Sequence, residues 1–143
     1  MSSASSAIDV VFSADCSYIP HLATAVTSLL ETNRCLVERI WVITDASDSR
    51  AFRLFQHFAF ERYGLMPAAL DVAASRFDTM YVSGHVSWAA YSRFLLGELL
   101  PIYVSRVLYL DSDLIVVGSL KELLTRPRRR GGKTRQIIQA VSR

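Results

Sequence analysis

Short apolar runs rich in β-branched residues alternate with stretches whose apolar residues recur at helical intervals, and this alternation restricts the fold more than any single motif. Ile8 to Phe12 is the first such run, and Ser13-Ala14-Asp15 ends it, so it reads as a buried strand opening into a loop. From Tyr18 to Leu30 the residues Ile19, Leu22, Ala23, Val26, Leu29 and Leu30 follow a helical period, with Asn33 placed to terminate the run. Val37 to Ile43 repeats the strand pattern. A second helix, capped by Ser47 or Asp48, carries a stripe of Phe52, Phe55, Phe58 or Ala59 and Tyr63 before Gly64 stops it. Leu70 to Ala73 is a weaker strand. Ser87 caps a helix that runs to Leu100 and ends at Pro101, and Val107 to Leu110 is again a strand. Leu114 to Val117 resumes extended structure. Strands that alternate with helices of this length imply an α/β domain with a mostly parallel sheet and helices on both faces.

Two segments break the alternation. Phe77 to Val86 lacks sustained periodicity and reads as a loop. After Leu124 the chain enters Thr125-Arg-Pro-Arg-Arg-Arg-Gly-Gly-Lys-Thr-Arg135, which has neither an apolar face nor acidic partners. We therefore divide the chain into a domain at 1–124 and a basic tail at 125–143, expected to be disordered, in which only Ile137, Ile138 and Val141 hint at a short helix. The tail also explains the net charge of +3. Residues 1–120 hold 8 Lys and Arg against 12 Asp and Glu, while residues 121–143 hold 8 against 1. A polynucleotide-binding domain spreads its cations over the folded body, and this body is mildly acidic, so nucleic acid is not an expected partner. No apolar run approaches the roughly 18 to 20 residues of a membrane span. The start, Met1 to Ala7, has no basic region ahead of an apolar stretch, which points to the cytoplasm, with peripheral attachment to a membrane as a second option. Cys16 and Cys35 have neither CxxC nor zinc-site spacing and are expected to be reduced and partly buried.

Chemistry concentrates at Asp111-Ser112-Asp113. The two carboxylates follow a buried strand, and open α/β sheets bind their ligands at the carboxyl ends of strands. Two acidic residues one position apart on a chain leaving the sheet can turn to one cation, and hard oxygen ligands suit Mn²⁺ or Mg²⁺. Asp-x-Asp alone is a weak signal. Apolar runs on both sides strengthen it, because two like charges set between buried segments are costly unless something positive sits there.

Two families place Asp-x-Asp after a strand. Haloacid-dehalogenase-like phosphatases do so on their first strand, usually with Thr or Val two positions beyond the second Asp; here the motif comes late and Ile115 stands there, so that resemblance is poor. The run Arg106-Val-Leu-Tyr-Leu-Asp-Ser-Asp-Leu-Ile-Val-Val117 with Ser119-Leu-Lys-Glu-Leu123 resembles family 8 glycosyltransferases, which include the bacterial lipopolysaccharide galactosyl- and glucosyltransferases. Tyr91-Ser-Arg-Phe-Leu-Leu-Gly-Glu-Leu-Leu-Pro101 is similar to that family's Tyr-x-Arg helix, and Ile8 to Asp15 with Tyr18 to its first strand and uridine-binding loop.

The resemblance covers residues 8 to 124 and implies a Rossmann-like GT-A fold, shortened relative to the family. It implies a retaining, metal-dependent hexosyltransferase that takes a UDP-sugar donor and a saccharide or glycolipid acceptor. Under it, Ala14 and Asp15 contact the uracil, Tyr18 supplies an aromatic face, and Arg93 lines the nucleotide-sugar site. Asp111 and Asp113 hold Mn²⁺ or Mg²⁺, and Ser112 meets the ribose through its backbone. His85, in the loop before the Arg93 helix, can face the sugar, although a lone loop histidine is more often solvated; His21 and His57 read as surface or packing residues. The family's late His-x-x-Gly-x-x-Lys motif is absent from this sequence. That points to a truncated or frameshifted member, with a non-catalytic nucleotide-binding remnant as the alternative and an unpaired apolar strand edge where the sheet stops.

Overall fold

The computed structural model describes residues 7–71, 96–125 and 136–140. Five strands form one sheet: β1 (Ile8–Ser13), β2 (Val37–Thr44), β3 (Ala68–Asp71), β4 (Arg106–Leu110) and β5 (Gln136–Ala140). They lie in the order β3-β2-β1-β4-β5, and every described pairing is parallel. Helix α1 (Ile19–Asn33) connects β1 to β2 and α2 (Arg50–Tyr63) connects β2 to β3; a short α3 (Lys121–Leu124) follows β4.

Strand pleating assigns the core residues to two faces. Val10 lies level with Ile40 and Leu108, and all three pack under α1 and α2 with Leu22, Val26, Leu29, Phe52 and Phe55. Val11, one step along, lies level with Trp41 and Tyr109, and these face Leu96, Leu100 and Val104 on the other side. Residues 96–99 are helical, so helices cover both faces of the sheet. A stretch of strand buried on both faces must be largely apolar, which is why residues 10–12, 40–43 and 107–110 read as continuous runs.

Local chemistry sets the helix ends. Pro20 sits in the first turn of α1, where its missing N–H costs nothing. The cap of α2 is Ser49, whose Oγ accepts from the Phe52 N–H at 3.1 Å, instead of Ser47 or Asp48. Only Ser49 stands where its hydroxyl meets an unpaired N–H of the first turn. Gly64 closes α2 with φ of +68°, a left-handed conformation that glycine reaches without strain. Of the expected stripe, Phe52, Phe55 and Ala59 are buried and Phe58 is 42% exposed.

Four further expectations change. β3 begins two residues earlier than Leu70, because its pairing with β2 starts at Ala68 opposite Trp41. Leu114–Val117 forms no strand. Cys16 and Cys35 are exposed free thiols on short 3-10 turns rather than partly buried. The tail contributes β5, which pairs with β4 from Arg106 to Leu110, so residues 136–140 are neither helical nor disordered and cover the strand edge expected to be bare. Ile138 explains this: a parallel strand places it against the core beside Leu108, while the exposed Ile137 tolerates the opposite side. His21 and His57 are exposed, as expected. No helix among the described residues is long and apolar enough to cross a membrane.

Two predictions follow from the packing. Removal of residues 125–143 strips β5 from β4 and should lower the melting temperature; an unchanged value would mean that β5 adds nothing to stability. Between α1 and α2, the Tyr63 hydroxyl and the Arg62 guanidinium both donate to Glu31 Oε1, at 2.6 and 2.8 Å. These hydrogen bonds, that of Tyr63 foremost, hold the Glu31 carboxyl below its ordinary value of 4.5. A lowered carboxylate stabilises the fold above its ordinary value and loses that contribution as pH falls through the lowered one. The stability difference between the parent and Glu31→Gln should therefore be small, since the group is exposed, should begin to shrink near pH 4.5 and should disappear once the pH has passed below the lowered value.

Candidate active site

The strand order reverses at β1: β2 and β3 extend to one side, and β4 lies on the other. At such a point the connections leave the sheet in opposite directions and open a crevice at the carboxyl ends of the two central strands. The loop after β1 and the acidic turn after β4 both leave the sheet at that edge.

After β1, Ala14 is buried, and its N–H donates to the Ile43 carbonyl at 3.0 Å. Its methyl is therefore core, and its N–H is committed to the sheet. Asp15 Oδ1 accepts from the Ser17 N–H at 2.9 Å, the Ser17 hydroxyl at 2.6 Å and the Tyr18 N–H at 3.1 Å, capping the 3-10 turn Cys16–Tyr18. The carboxylate thus sets the loop's shape. That turn presents the Tyr18 ring, which is 45% exposed and 5.2 Å from the His21 ring, so Tyr18 offers an open face instead of core packing.

After β4, Ser112 and Asp113 form a turn. Ser112 is buried, and its hydroxyl donates to the Ser13 carbonyl at 2.8 Å across 99 residues of sequence. With that side chain drawn inward, Asp111 is half-buried and Asp113 exposed. Neither carboxylate has an ion-pair or hydrogen-bond partner among the described residues, and no third His, Cys, Asp or Glu there completes a cluster with them. Two adjacent, unneutralised oxygen donors fit a hard divalent cation that takes its remaining ligands from phosphate and water.

Downstream, two side chains of α1 hold the chain in place of strand pairing. Ser28 Oγ accepts from the Val116 N–H at 2.9 Å. Asn33 is 2% exposed; its amide nitrogen donates to the Gly118 carbonyl at 2.9 Å and its oxygen accepts from the Leu120 N–H at 2.7 Å. The apolar run Leu114–Val117 is thereby tied to the helix that follows β1. Sequence reasoning saw Asn33 as a helix terminator only, and it missed Ser13 and Ser28 altogether. Nothing local marks them, since their partners lie more than 80 residues away. Arg93 and His85 lie outside the described residues.

Residues 9–132 match the model of the family described as "Glycosyl transferase family 8". The chain belongs to that family. Among curated members of known sequence, it is 26% identical over 121 residues to "Probable galacturonosyltransferase-like 2" of Arabidopsis thaliana, covering 83% of this chain and 36% of that protein. It is 24% identical over 120 residues to the lipopolysaccharide 1,2-glucosyltransferase of Escherichia coli (strain K12), covering 84% and 35%. The solved structure of the galactosyltransferase LgtC, in complex with donor and acceptor sugar analogs, superposes with a TM-score of 0.65 at 29% identity, over 81% of this chain and 41% of that one. The five-stranded parallel sheet flanked by helices is accordingly the GT-A glycosyltransferase arrangement. This family 8 chain spans about a third of the length of those two curated relatives.

Asn33→Ala removes partners from two backbone groups of the segment behind the acidic turn. Leaving such groups unsatisfied costs about 1–3 kcal/mol each, so a loss of about 2–4 kcal/mol in chemical denaturation is expected. A loss below about 0.5 kcal/mol, the scale of a neutral surface change, would show that the tie carries no load.

Proposed function

We propose that this chain is the donor-binding part of a retaining hexosyltransferase that moves a sugar from a UDP-sugar to a saccharide or glycolipid acceptor in the cytoplasm. The observation that carries the reading is the convergence, at the reversal of strand order, of an unneutralised carboxylate pair with an open aromatic loop. A nucleoside diphosphate needs both. Its base requires a flat apolar surface with nearby backbone groups, and its diphosphate requires positive charge.

Tyr18 supplies the surface, and the backbone of Ala14 and Asp15 borders it; the Asp15 carboxylate holds the turn that aims the ring. Asp111 and Asp113 hold Mn²⁺ or Mg²⁺, which when bound supplies Lewis-acid stabilisation to the departing diphosphate. The backbone of Ser112 would meet the ribose, while its hydroxyl is committed to Ser13. Helix α1 begins at Ile19, shortly past β1, so its positive N-terminal end faces the same edge of the sheet and favours an anion there. Arg93 would add a guanidinium to donor oxygens or to the carboxylates, and His85 would face the sugar. Names of relatives support hexose chemistry in general: one is called a glucosyltransferase and one a galactosyltransferase.

Calorimetry of UDP with and without Mn²⁺ tests this. Binding should require the cation, and Asp111→Asn or Asp113→Asn should weaken metal-dependent binding at least tenfold, since each change removes one charge and one oxygen ligand. The fold should persist or gain slightly, because two adjacent like charges become one. Equal affinity in the parent and in both variants would remove the pair from the site.

A further inference from the structure

The crevice has two halves, and they are attached to different strands. The Ala14–Tyr18 loop continues β1, and the acidic turn continues β4. Backbone pairing of β1 with β4 is recorded from Asp9 to Val11 opposite Val107 to Tyr109, so it stops short of both halves. Beyond that register, the hydroxyl of Ser112 reaches from the acidic turn to the Ser13 carbonyl. Both residues are buried, at 8% and 7% exposure.

Each end of this hydrogen bond is rigidly continued. Ser13 leads directly into Ala14, whose N–H is fixed on the Ile43 carbonyl, and then into Asp15, which caps the turn bearing Tyr18. Ser112 is covalently flanked by the two carboxylates, and the chain beyond them is fixed by Ser28 and Asn33. A displacement of the acidic turn therefore has a short route to the aromatic loop, and that route passes through one hydroxyl.

We propose that Ser112 is a positioning residue whose side chain couples the metal-binding carboxylates to the nucleotide loop, so that cation and nucleotide strengthen each other through it. The inference rests on the donor-site reading above. Linkage requires the coupling to be reciprocal: the factor by which Mn²⁺ raises UDP affinity equals the factor by which UDP raises Mn²⁺ affinity. Part of that factor comes from direct contact between cation and diphosphate. The remainder depends on the two halves being held at a set separation before either ligand arrives.

The test is a thermodynamic square on the full chain. Mn²⁺ alone, UDP alone, and each in the presence of the other are titrated for the parent, Ser112→Ala and Ser112→Thr, with a ligand-free melting curve for each. Ser112→Ala deletes one oxygen and leaves the core residues in place. The coupling factor should fall about tenfold in Ser112→Ala, the size of effect seen when a group supporting a metal ligand is removed, and should be largely kept in Ser112→Thr, which retains the hydroxyl. A purely structural role would lower the melting temperature of Ser112→Ala and leave the coupling factor as in the parent; that result overturns the inference and spares the donor-site reading. Equal loss in both variants also overturns it, because the hydroxyl would then not be the agent. A parent in which Mn²⁺ and UDP bind without affecting each other overturns the donor-site reading together with the inference.

Discussion

The structure depends on parallel pairing of β1 with a neighbour on each side. Parallel strands cannot be joined by tight turns, so each connection crosses a face of the sheet and all carboxyl ends gather at one edge. Because β2 and β4 flank β1, segments separated by about a hundred residues in sequence are delivered to the same few ångströms of space. The apolar character of β1, β2 and β4 is a direct cost of that arrangement. With helices over both faces, the central positions of these strands cannot face water, and only Glu38 and Arg39, near the start of β2, are exposed. Asp9 is the exception that fits the rule: it is buried in β1 and is tolerated because Arg39 Nε donates to it at 3.0 Å and Trp41 Nε1 at 3.2 Å.

What holds the crevice is different from what holds the sheet. Past β4 the chain leaves the ladder, and its backbone groups must find partners elsewhere if they are to be buried. Ser28 and Asn33 supply them from α1, and Ser112 supplies one in return to Ser13. Short hydroxyl and amide side chains suit this task, since few rotatable bonds are frozen for each hydrogen bond made. The acidic turn is thereby supported by neutral groups. No arginine or lysine of the described residues forms an ion pair with it, so its charge stays available to a ligand.

Much of this was legible in the sequence, and the limits have physical causes. The central strands and the α1 and α2 helices showed because burial imposes a period, continuous for the doubly covered strands and near 3.6 for the helices. Gly64 showed because a left-handed stop has its own residue preference. The exact cap of α2 did not, because Ser47, Asp48 and Ser49 are all competent and only the backbone path selects one. β5 was hidden by composition: eight Lys and Arg after residue 120 outweigh Ile137 and Ile138 in any local reading, although two apolar residues suffice once β4 offers a ladder. Of the candidate site, the carboxylates and Tyr18 were singled out by motif, position and family resemblance. The work of Asp15 as a cap, and of Ser13, Ser28 and Asn33 as ties, was not, since a serine or asparagine that bonds a distant backbone group has no local signature.

The arrangement sets an electrostatic problem that the protein alone leaves open. Asp111, half-buried, and Asp113, exposed, stand one residue apart at a turn, with no ion-pair partner among the described residues. Hydrogen bonds at Ser112 and Val116 hold the backbone around the turn. A flexible loop would have to be ordered when a ligand arrived. A turn already held in place needs less ordering when a cation binds, which lowers the cost of binding. On the proposed reading, the neutral ties behind the motif and its unpaired carboxylates have complementary tasks: the ties fix the turn, and the carboxylates offer their charge to a doubly charged ion carrying an anionic nucleotide.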